Sequence, residues 1–375
     1  RVIERFEPFH KLANIAKTIL DDDDILKYLD DQYLFDLLTW YHLGWIAETV
    51  RREDLVIQQL MKKGSDFTVH DRRELLQIIS RLMSSIIPRY KKLAEQGQIE
   101  LCMSPYAHPI IPLLLEVGSA QEAMPDVSLP MLKAYPGGKE RSAWHIHKGI
   151  EHFEHTFGMK PSGCWPSEGS LSMATLDTLS DAGFAWAASG GSVLHNSFAE
   201  TENKTPDCIH HAYTFADNKL ACFFRDDGLS DLIGFNYTEW HADDAVANLV
   251  HHLENIADSC ADADNPIVSI ILDGENAWEY YPENGYYFLN ALYKNLSDHP
   301  QLKLTTFQDY LHDKPEPQKL NKLVAGSWVY GTFSTWIGDP DKNRAWDMLG
   351  EAKQAFDKVV ASASLNLEQL AAAEH

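Results

Sequence analysis

The stretch of sequence that decides the fold is residues 163–191, which reads GCWPSEGSLSMATLDTLSDAGFAWAASGG. It opens on a short apolar run, Gly163–Trp165, that turns polar at once. Leucines recur at helical spacing in the next segment, which ends at Gly183, a residue type common after helix C-termini. A second apolar run, Phe184–Ala188, follows directly. This order of strand, helix and strand predicts two parallel strands joined by a crossover helix.

Three further apolar runs of strand length extend the pattern, at Gln98–Met103, Leu220–Phe224 and Pro266–Leu272. Each is followed directly by polar or charged residues, and helical patterns lie between the runs. The carboxyl ends of parallel strands share one edge of an α/β sheet or barrel, so we expect these polar residues to gather there. The pattern predicts an α/β fold with its chemistry at that edge.

The two ends of the chain have helical patterns. Residues 1–95 are mainly helical, and the apolar spacing over Asp71–Glu95 predicts a helix that Pro88 interrupts. Residues 340–375 keep helical spacing as well. We therefore expect helical segments on both sides of the α/β part.

Composition narrows the class of partner. The 375 residues include 32 basic and 55 acidic side chains, a formal net charge of −23, and 45% hydrophobic residues. Such acidity argues against nucleic-acid binding, which needs a basic surface. No apolar run approaches the roughly 20 residues of a membrane helix, so no membrane partner is expected. A neutral sugar polymer is compatible with this charge.

Cysteine and histidine usage indicates neither a disulfide scaffold nor a metal site. The five cysteines are scattered and form no Cys-x-x-Cys pair, so we expect reduced, mostly buried thiols. The 17 histidines include no His-x-x-x-His, and we expect no metal and no cofactor. Arg1 is not followed by a signal-like segment, which favours a cytoplasmic compartment and a chain that is a fragment or a processed form.

Two carboxylates stand directly after separate strand-like runs and are the main catalytic candidates. Glu168 follows the run at Gly163–Trp165, and Asp273 follows Pro266–Leu272. Cleavage of a glycosidic bond needs such a pair, one acid acting at the anomeric carbon and the other on the leaving oxygen. Trp165 would offer a flat apolar face to a sugar ring. On pattern alone, the alternative is a set of ordinary solvated acids.

Beyond this pattern, the chain resembles glycoside hydrolase family 57, the group of α-amylases, amylopullulanases and 4-α-glucanotransferases. The motifs that carry the resemblance keep the family's order over nearly the whole chain: Gly97–Glu100 with Ser104–Pro109, Gly163–Glu168, Leu272–Asn276, and Gly326–Trp328 with Trp336–Gly338 and Asn343–Trp346. The family's first motif, His-Gln-Pro on the first barrel strand, does not occur in this sequence.

The resemblance implies a retaining glycoside hydrolase that cleaves α-1,4 bonds of α-glucans, with α-1,6 bonds as a further candidate linkage. Glu168 would be the nucleophile and Asp273 the general acid/base, with carboxyl groups about 5–5.5 Å apart. The implied fold is an incomplete (β/α)7-type barrel over residues 1–300, lacking its first strand and carrying a helical insertion near 1–95. A C-terminal helical segment at 301–375 follows.

Further residues near these motifs are candidates for contact with the sugar: Glu100, His108, Trp144, His145, Trp165, Arg225, Asp227, Glu275, Trp278, Trp328 and Trp336. Structural alternatives stay open for most of them. Glu100 and Arg225 would serve equally in ion pairs, Glu275 in helix capping, and Trp144, Trp328 and Trp336 in packing. His108 precedes a proline, which predicts an extended backbone.

Two other functions remain open at this point. A 4-α-glucanotransferase uses the same glycosyl-enzyme intermediate, and a sugar hydroxyl takes the place of water in its second step. A non-catalytic glucan-binding protein would keep the fold without turnover. The products formed from a short maltooligosaccharide separate the first alternative from hydrolysis, and binding without cleavage would indicate the second.

Overall fold

The computed structural model describes residues 2–20, 24, 27, 29–200, 206–274, 277–313, 316–362 and 365–374. The α-helices are α1 (Val2–Arg5), α2 (Glu7–Leu20), α3 (Asp31–Trp45), α4 (Glu48–Glu53), α5 (Leu55–Lys63), α6 (Val69–Glu95), α7 (Ile111–Leu115), α8 (Ala120–Ala123), α9 (Gly138–Phe157), α10 (Met173–Asp181), α11 (Gly191–Glu200), α12 (Asp227–Asp231), α13 (Ala242–Ser259), α14 (Tyr286–Ser297), α15 (Phe307–His312), α16 (Pro340–Ala361) and α17 (Leu367–Glu374). The strands are β1 (Gly163–Cys164), β2 (Trp186–Ser189), β3 (Tyr213–Phe215), β4 (Ala221–Phe224) and β5 (Gln318–Leu320).

The strands form one mixed sheet in the order β1-β2-β4-β3-β5, in which β1, β2 and β4 are parallel neighbours. Trp186 lies opposite both Gly163 and Ala221. Single parallel bridges extend this array at its two sides, Met103 with Cys164 and Arg225 with Ser269. Three of the five strands expected from the sequence form as β1, β2 and β4, whereas the runs at Gln98–Met103 and Pro266–Leu272 contribute one parallel bridge each. The α/β fold class is confirmed.

Burial explains why these short segments become strands. Every residue of β2 and β4 is buried, as parallel strands covered on both faces require. Gly163 is needed where it stands, because a Cβ at that position would lie 1.8 Å from the indole of Trp186 on the neighbouring strand. The small first residue of β1 therefore sets how closely β1 and β2 approach.

Two strands carry no apolar signal that the sequence analysis used. β3 pairs antiparallel with β4, and β5 pairs parallel with β3. Only Leu320 of the three β5 residues is buried. A three-residue edge strand with one buried side chain cannot show the alternation that marks a half-buried strand.

The chain divides into two compact units, each built from several segments. The helical unit contains residues up to Lys92, Asp231–Val250 and Leu272–Pro300. The sheet unit contains Leu93–Ser230, His251–Ile271 and residues from Gln301 onward. The core of the helical unit includes Trp40, Leu43, Ile57, Phe67 and Leu75. The domain boundary expected at residue 300 stays a prediction.

Pro88 does not interrupt its helix, contrary to the expectation. Helix α6 continues through it to Glu95. The proline removes one backbone hydrogen bond, the one to the carbonyl of Ser84. Both residues are exposed, so water can solvate that carbonyl and the long helix tolerates the loss. Within the described residues, no helix is long and apolar enough to cross a membrane.

The expectation of reduced thiols fails for two of the five cysteines. Cys208, in the segment before β3, forms a disulfide with Cys260, directly after α13. The two cysteines are 52 residues apart, and tertiary folding brings their Cα atoms to 5.2 Å. Spacing in the sequence could not reveal the pair. Cys164 and Cys222 are buried free thiols in the sheet, and Cys102 is exposed.

Candidate active site at the carboxyl edge of the sheet

Glu168 lies four residues beyond β1, in a single 3-10 turn, Ser167–Gly169. Its backbone is left-handed, with φ 58° and ψ 26°, a region that side chains other than glycine rarely adopt. The backbone N–H of Trp328 donates to the carbonyl of Glu168 at 3.1 Å and helps to hold this conformation. Such strained residues concentrate at functional sites.

Each carboxylate oxygen of Glu168 has its own partner. Nε2 of His108 lies 3.2 Å from Oε1, and the indole N–H of Trp328 donates to Oε2 at 3.0 Å. The Glu168 side chain is nevertheless 33% exposed. The carboxylate is therefore held in one orientation and remains open to a ligand.

His108 reaches Glu168 from the segment that follows Met103. Its φ is 56° and that of Ala107 is 59°, so the extended backbone expected before Pro109 is wrong. The reason is a tight turn, in which the N–H of His108 donates to the carbonyl of Pro105 at 3.0 Å. This turn directs a half-exposed imidazole at the carboxylate.

Helix α9 holds the segment that carries His108 through hydrogen bonds of His145. Tyr106 donates its N–H to the carbonyl of His145 at 3.0 Å, and Nδ1 of His145 donates to the carbonyl of Tyr106 at 2.7 Å. Arg141 donates to Nε2 at 3.1 Å, which requires a neutral ring. Burial, with the charge of Arg141, lowers the pKa of His145 in the same sense. His145 thus positions the segment. Trp144 packs edge-to-face on Tyr106 at 5.7 Å between ring centroids.

Two tryptophans stand beside the carboxylate. Trp165 and Trp328 meet edge-to-face with ring centroids 5.1 Å apart, and both are half-buried. Gly190, directly after β2, permits this approach, because a Cβ there would lie 2.6 Å from the Cα of Trp328. Trp328 therefore belongs with the carboxylate, the reading that the sequence had left open against a core role.

Arg225 and Asp227 follow β4, and the contacts of their side chains are with other groups of the protein. Arg225 pairs with Asp227 at 3.1 Å and donates through Nε to the carbonyl of Ile271 at 2.8 Å. Its guanidinium also lies 5.6 Å from the centre of the Trp328 ring. Asp227 accepts the N–H groups of Gly191 and Ser192, at the start of α11. This pair braces the Trp328 side of the site.

Glu100 lies at the opposite, amino-terminal edge of the sheet. Its carboxylate accepts Ser162 Oγ at 2.5 Å, Trp186 Nε1 at 2.7 Å and the N–H of Gln308 at 2.9 Å. These bonds join the starts of β1, β2 and α15. The structural alternative for Glu100 fits this position, and we leave it out of the site.

Four candidates remain. Asp273 is exposed in the helical unit, in which Trp278 packs against Tyr281 at 5.4 Å between ring centroids. Glu275 lies outside the described residues. Trp336 packs on the apolar cluster that contains Phe333. The expected spacing of the two catalytic carboxyls stays a prediction.

Several supporting residues near Glu168 and His145 carry no motif in the sequence. Arg141 lies one helical turn before His145, and that spacing on α9 is the signal that would have found it. Ser167 and Ser170 flank Glu168, and their buried hydroxyls have no hydrogen-bond partner within the described ranges. Buried hydroxyls of this kind usually bind ordered water. We know of no sequence signal for these two.

Known proteins were compared with this chain by family and by fold. The family model described as glycosyl hydrolase family 57 matches residues 9–323. No curated protein sequence matches the chain.

Solved structures share the fold at low identity. A GH57-type branching enzyme from Pyrococcus horikoshii is 17% identical, with a TM-score of 0.59 over 89% of this chain and 67% of that one. The α-amylase AmyC from Thermotoga maritima is 14% identical, with 0.52 over 78% and 64%. A 4-α-glucanotransferase from Thermococcus litoralis is 17% identical, with 0.51 over 76% and 39%.

This chain spans about two thirds of the branching enzyme and less of the other two. At such identities the likeness concerns the fold alone, so the family assignment rests on the model that matches most of the chain. The chain belongs to glycosyl hydrolase family 57.

Proposed function

We propose that this chain cleaves α-glucans by a retaining double displacement, with Glu168 as the nucleophile and Asp273 as the general acid/base. The observation that carries the proposal is the Glu168 carboxylate. Each of its oxygens has one hydrogen-bond partner, yet a third of the side chain stays exposed. A carboxylate held in this way is prepared to attack a sugar carbon without first reorienting.

In the first step, a Glu168 oxygen forms a bond to the anomeric carbon as the glycosidic C–O bond breaks. Asp273, protonated, gives its proton to the departing oxygen, and a glycosyl ester of Glu168 remains. In the second step, Asp273 takes a proton from water, whose oxygen attacks the same carbon and releases Glu168. Two inversions at one carbon retain its configuration.

Neighbouring residues have supporting parts in this scheme. The indole N–H of Trp328 stabilises the Glu168 carboxylate as it leaves in the second step, and Nε2 of His108 does the same at the other oxygen. The half-buried ring of Trp165 offers a flat face for the apolar side of a glucose ring. Arg225 acts as a positioning residue, because it faces the ring of Trp328.

A 4-α-glucanotransferase is the second candidate, because the fold does not separate it from a hydrolase. A 4-α-glucanotransferase and an α-amylase share this fold equally well, with TM-scores of 0.51 and 0.52. The two reactions diverge only at the acceptor in the second step. Trials on substrates of different linkage and length measure α-1,6 cleavage and the preferred chain length.

The test is a product profile on maltoheptaose for the parent chain, Glu168→Gln and the control Glu95→Gln, an exposed glutamate at the end of α6. We expect the parent and the control to release sugars and Glu168→Gln to lose turnover by at least about 10³-fold. Products longer than the substrate would indicate transfer. Equal turnover by Glu168→Gln would remove Glu168 as the nucleophile, and binding without cleavage by the parent would indicate a glucan-binding protein.

The cytoplasmic compartment stays a prediction. The Cys208–Cys260 disulfide argues against it, because disulfides persist mainly in oxidising compartments.

A further inference from the structure

The helical unit contains a cavity of about 380 Å³ with aromatic walls. The rings of Tyr237, Trp240, Tyr281 and Tyr287 line it, and Asp243 and Glu283 add carboxylates. None of these six residues belongs to the motifs or to the site at Glu168. The volume lies in the range of small-molecule sites, roughly 300–1,000 Å³.

The floor of the cavity offers ring faces. Tyr237 and Tyr281 are buried, and their hydroxyls are already used: Tyr237 donates to Oδ1 of Asn248 at 2.7 Å, and Tyr281 to the carbonyl of Ile233 at 2.5 Å. Burial raises the pKa of Tyr237 to about 12 and raises that of Tyr281 as well, so both stay neutral. A ligand therefore meets their apolar faces.

The rim presents two exposed rings that the protein holds in place. Trp240 is 46% exposed and packs on Tyr237 at 5.4 Å between ring centroids. Tyr287 is 49% exposed, and Arg52 donates to its hydroxyl at 2.7 Å. Exposed aromatic side chains that are already ordered lose little entropy when a flat ligand covers them.

The turn that carries Glu283 is strained. Glu283 and Asn284 both have left-handed backbones, with φ of 51° and 54°. Arg5 pairs with Glu283 at 3.2 Å, and Arg51 donates to Oδ1 of Asn284 at 3.0 Å. Two consecutive strained residues persist only where their surroundings hold them, and such strain is typical of binding sites.

From these contacts we propose that the cavity is a second binding site for an α-glucan segment, used in addition to the site at Glu168. A glucose ring has an apolar C–H face that stacks on aromatic rings, and hydroxyls at its edge that carboxylates accept. Asp243 disfavours anionic ligands, and Glu283, whose charge is paired with Arg5, adds a hydrogen-bond acceptor. The choice of glucan rests on the proposed function, since a polymer-cleaving enzyme gains from holding its substrate at a second point.

An organic cation is the other ligand that aromatic rings and carboxylates suit. The structure favours the sugar, because Trp240 and Tyr287 are each about half exposed, whereas a site for a small charged head group encloses it among aromatic rings. The test below includes a cation for this reason.

The experiment is isothermal titration of maltoheptaose into Glu168→Gln, in which the sugar is not consumed. We expect two binding events, one of which weakens at least tenfold in Glu168→Gln/Trp240→Ala and in Glu168→Gln/Tyr287→Ala. The matched control is Glu168→Gln/Tyr293→Ala, because Tyr293 is an exposed tyrosine of α14 that does not line the cavity. Circular dichroism checks the fold of each variant, and Tyr287→Ala serves if Trp240→Ala does not fold.

Three other outcomes overturn the inference. A single event that the cavity variants leave unchanged removes the second site. Loss of both events in Trp240→Ala makes the cavity part of the catalytic cleft. Binding of tetramethylammonium that is lost in Trp240→Ala, without any second sugar event, makes it a cation site. If the parent chain fails to cleave maltoheptaose but the second event is present and Trp240-dependent, the proposed function fails and this inference stands.

Discussion

At the residue scale, the side chains that prepare Glu168 are held by backbone conformations that cost free energy. Ala107, His108 and Glu168 are left-handed, as is Tyr330, two residues beyond Trp328. Each conformation of this kind costs on the order of 1 kcal/mol or more in a non-glycine residue. These conformations place His108 and Trp328 so that both form hydrogen bonds with the Glu168 carboxylate.

Trp328→Phe tests the indole hydrogen bond. Phenylalanine keeps a ring for Arg225 and Trp165 to contact but cannot donate to Oε2 of Glu168. Because a hydrogen bond to a charged group contributes about 1.5–3 kcal/mol, we expect kcat on maltoheptaose to fall roughly 10–100-fold.

The control for this prediction is Trp336→Phe, since Trp336 packs on the core cluster of Phe333 and Ile337. It should keep kcat and lower only the thermal midpoint. An equal loss of kcat in both variants would show that the effect at Trp328 is one of packing.

At the element scale, helix α9 supports the segment that carries His108, and it does so through one neutral imidazole. His145 accepts from Arg141 and donates to Tyr106. Protonation would replace the acceptor with a second donor facing a guanidinium. The hold of α9 on the segment therefore depends on pH, although His145 itself does not contact Glu168 in the hydrogen bonds that the structure records.

The expected consequence is a loss of stability in mild acid. The pKa of His145 is lowered in the folded chain, so as pH falls below about 6.5 the unfolded chain takes up a proton that the folded chain does not. The free energy of unfolding is thus largest above that pH and falls until the lowered pKa is reached. Burial lowers the pKa of His210 and His211 in the same sense.

Urea midpoints at pH 7.5 and 5.5 measure the effect. In His145→Gln, whose amide can still donate to Tyr106 and accept from Arg141, the drop between the two pH values should shrink without vanishing. His147→Gln, an exposed substitution on the same helix, should keep the full drop. A His145→Gln variant that loses stability as steeply as the parent would contradict the assignment.

At the scale of the whole molecule, the chain enters each compact unit more than once. The helical unit takes residues from three separate stretches, and so does the sheet unit. Within the sheet unit, the Cys208–Cys260 disulfide joins the segment before β3 to the end of α13. It closes a loop of 52 residues in the unfolded chain.

Thiol titration in denaturant tests this bond. We expect three thiols without reductant and five after reduction. Reduction should also lower the free energy of unfolding by about 2–4 kcal/mol, because the open chain regains entropy. Cys102→Ser, which removes an exposed free thiol, should lower the thiol count by one and leave stability unchanged. Five thiols without reductant would mean that the bond does not form.

Much of the fold follows from local pattern. The run at Phe184–Ala188, the helix that ends before Gly183 and the run at Leu220–Phe224 each reach their expected state, because both strands are buried on two faces and read as apolar runs. The sequence does not predict strand β5, because only one of its three residues is buried. The predicted break at Pro88 is wrong, because a proline's effect on a helix depends on whether the freed carbonyl is exposed, and exposure is set by tertiary packing.

The sequence alone determined the α/β class, the parallel direction of the apolar strands and the position of Glu168 directly after one of them, because these depend on residues close in the chain. Tertiary structure decided the rest. It placed Trp328 on Glu168 across 160 residues, put Glu100 at the opposite edge, and joined Cys208 to Cys260. These contacts join residues distant in the chain, and their partners are set by how strands and helices pack, a property that no short stretch of sequence contains.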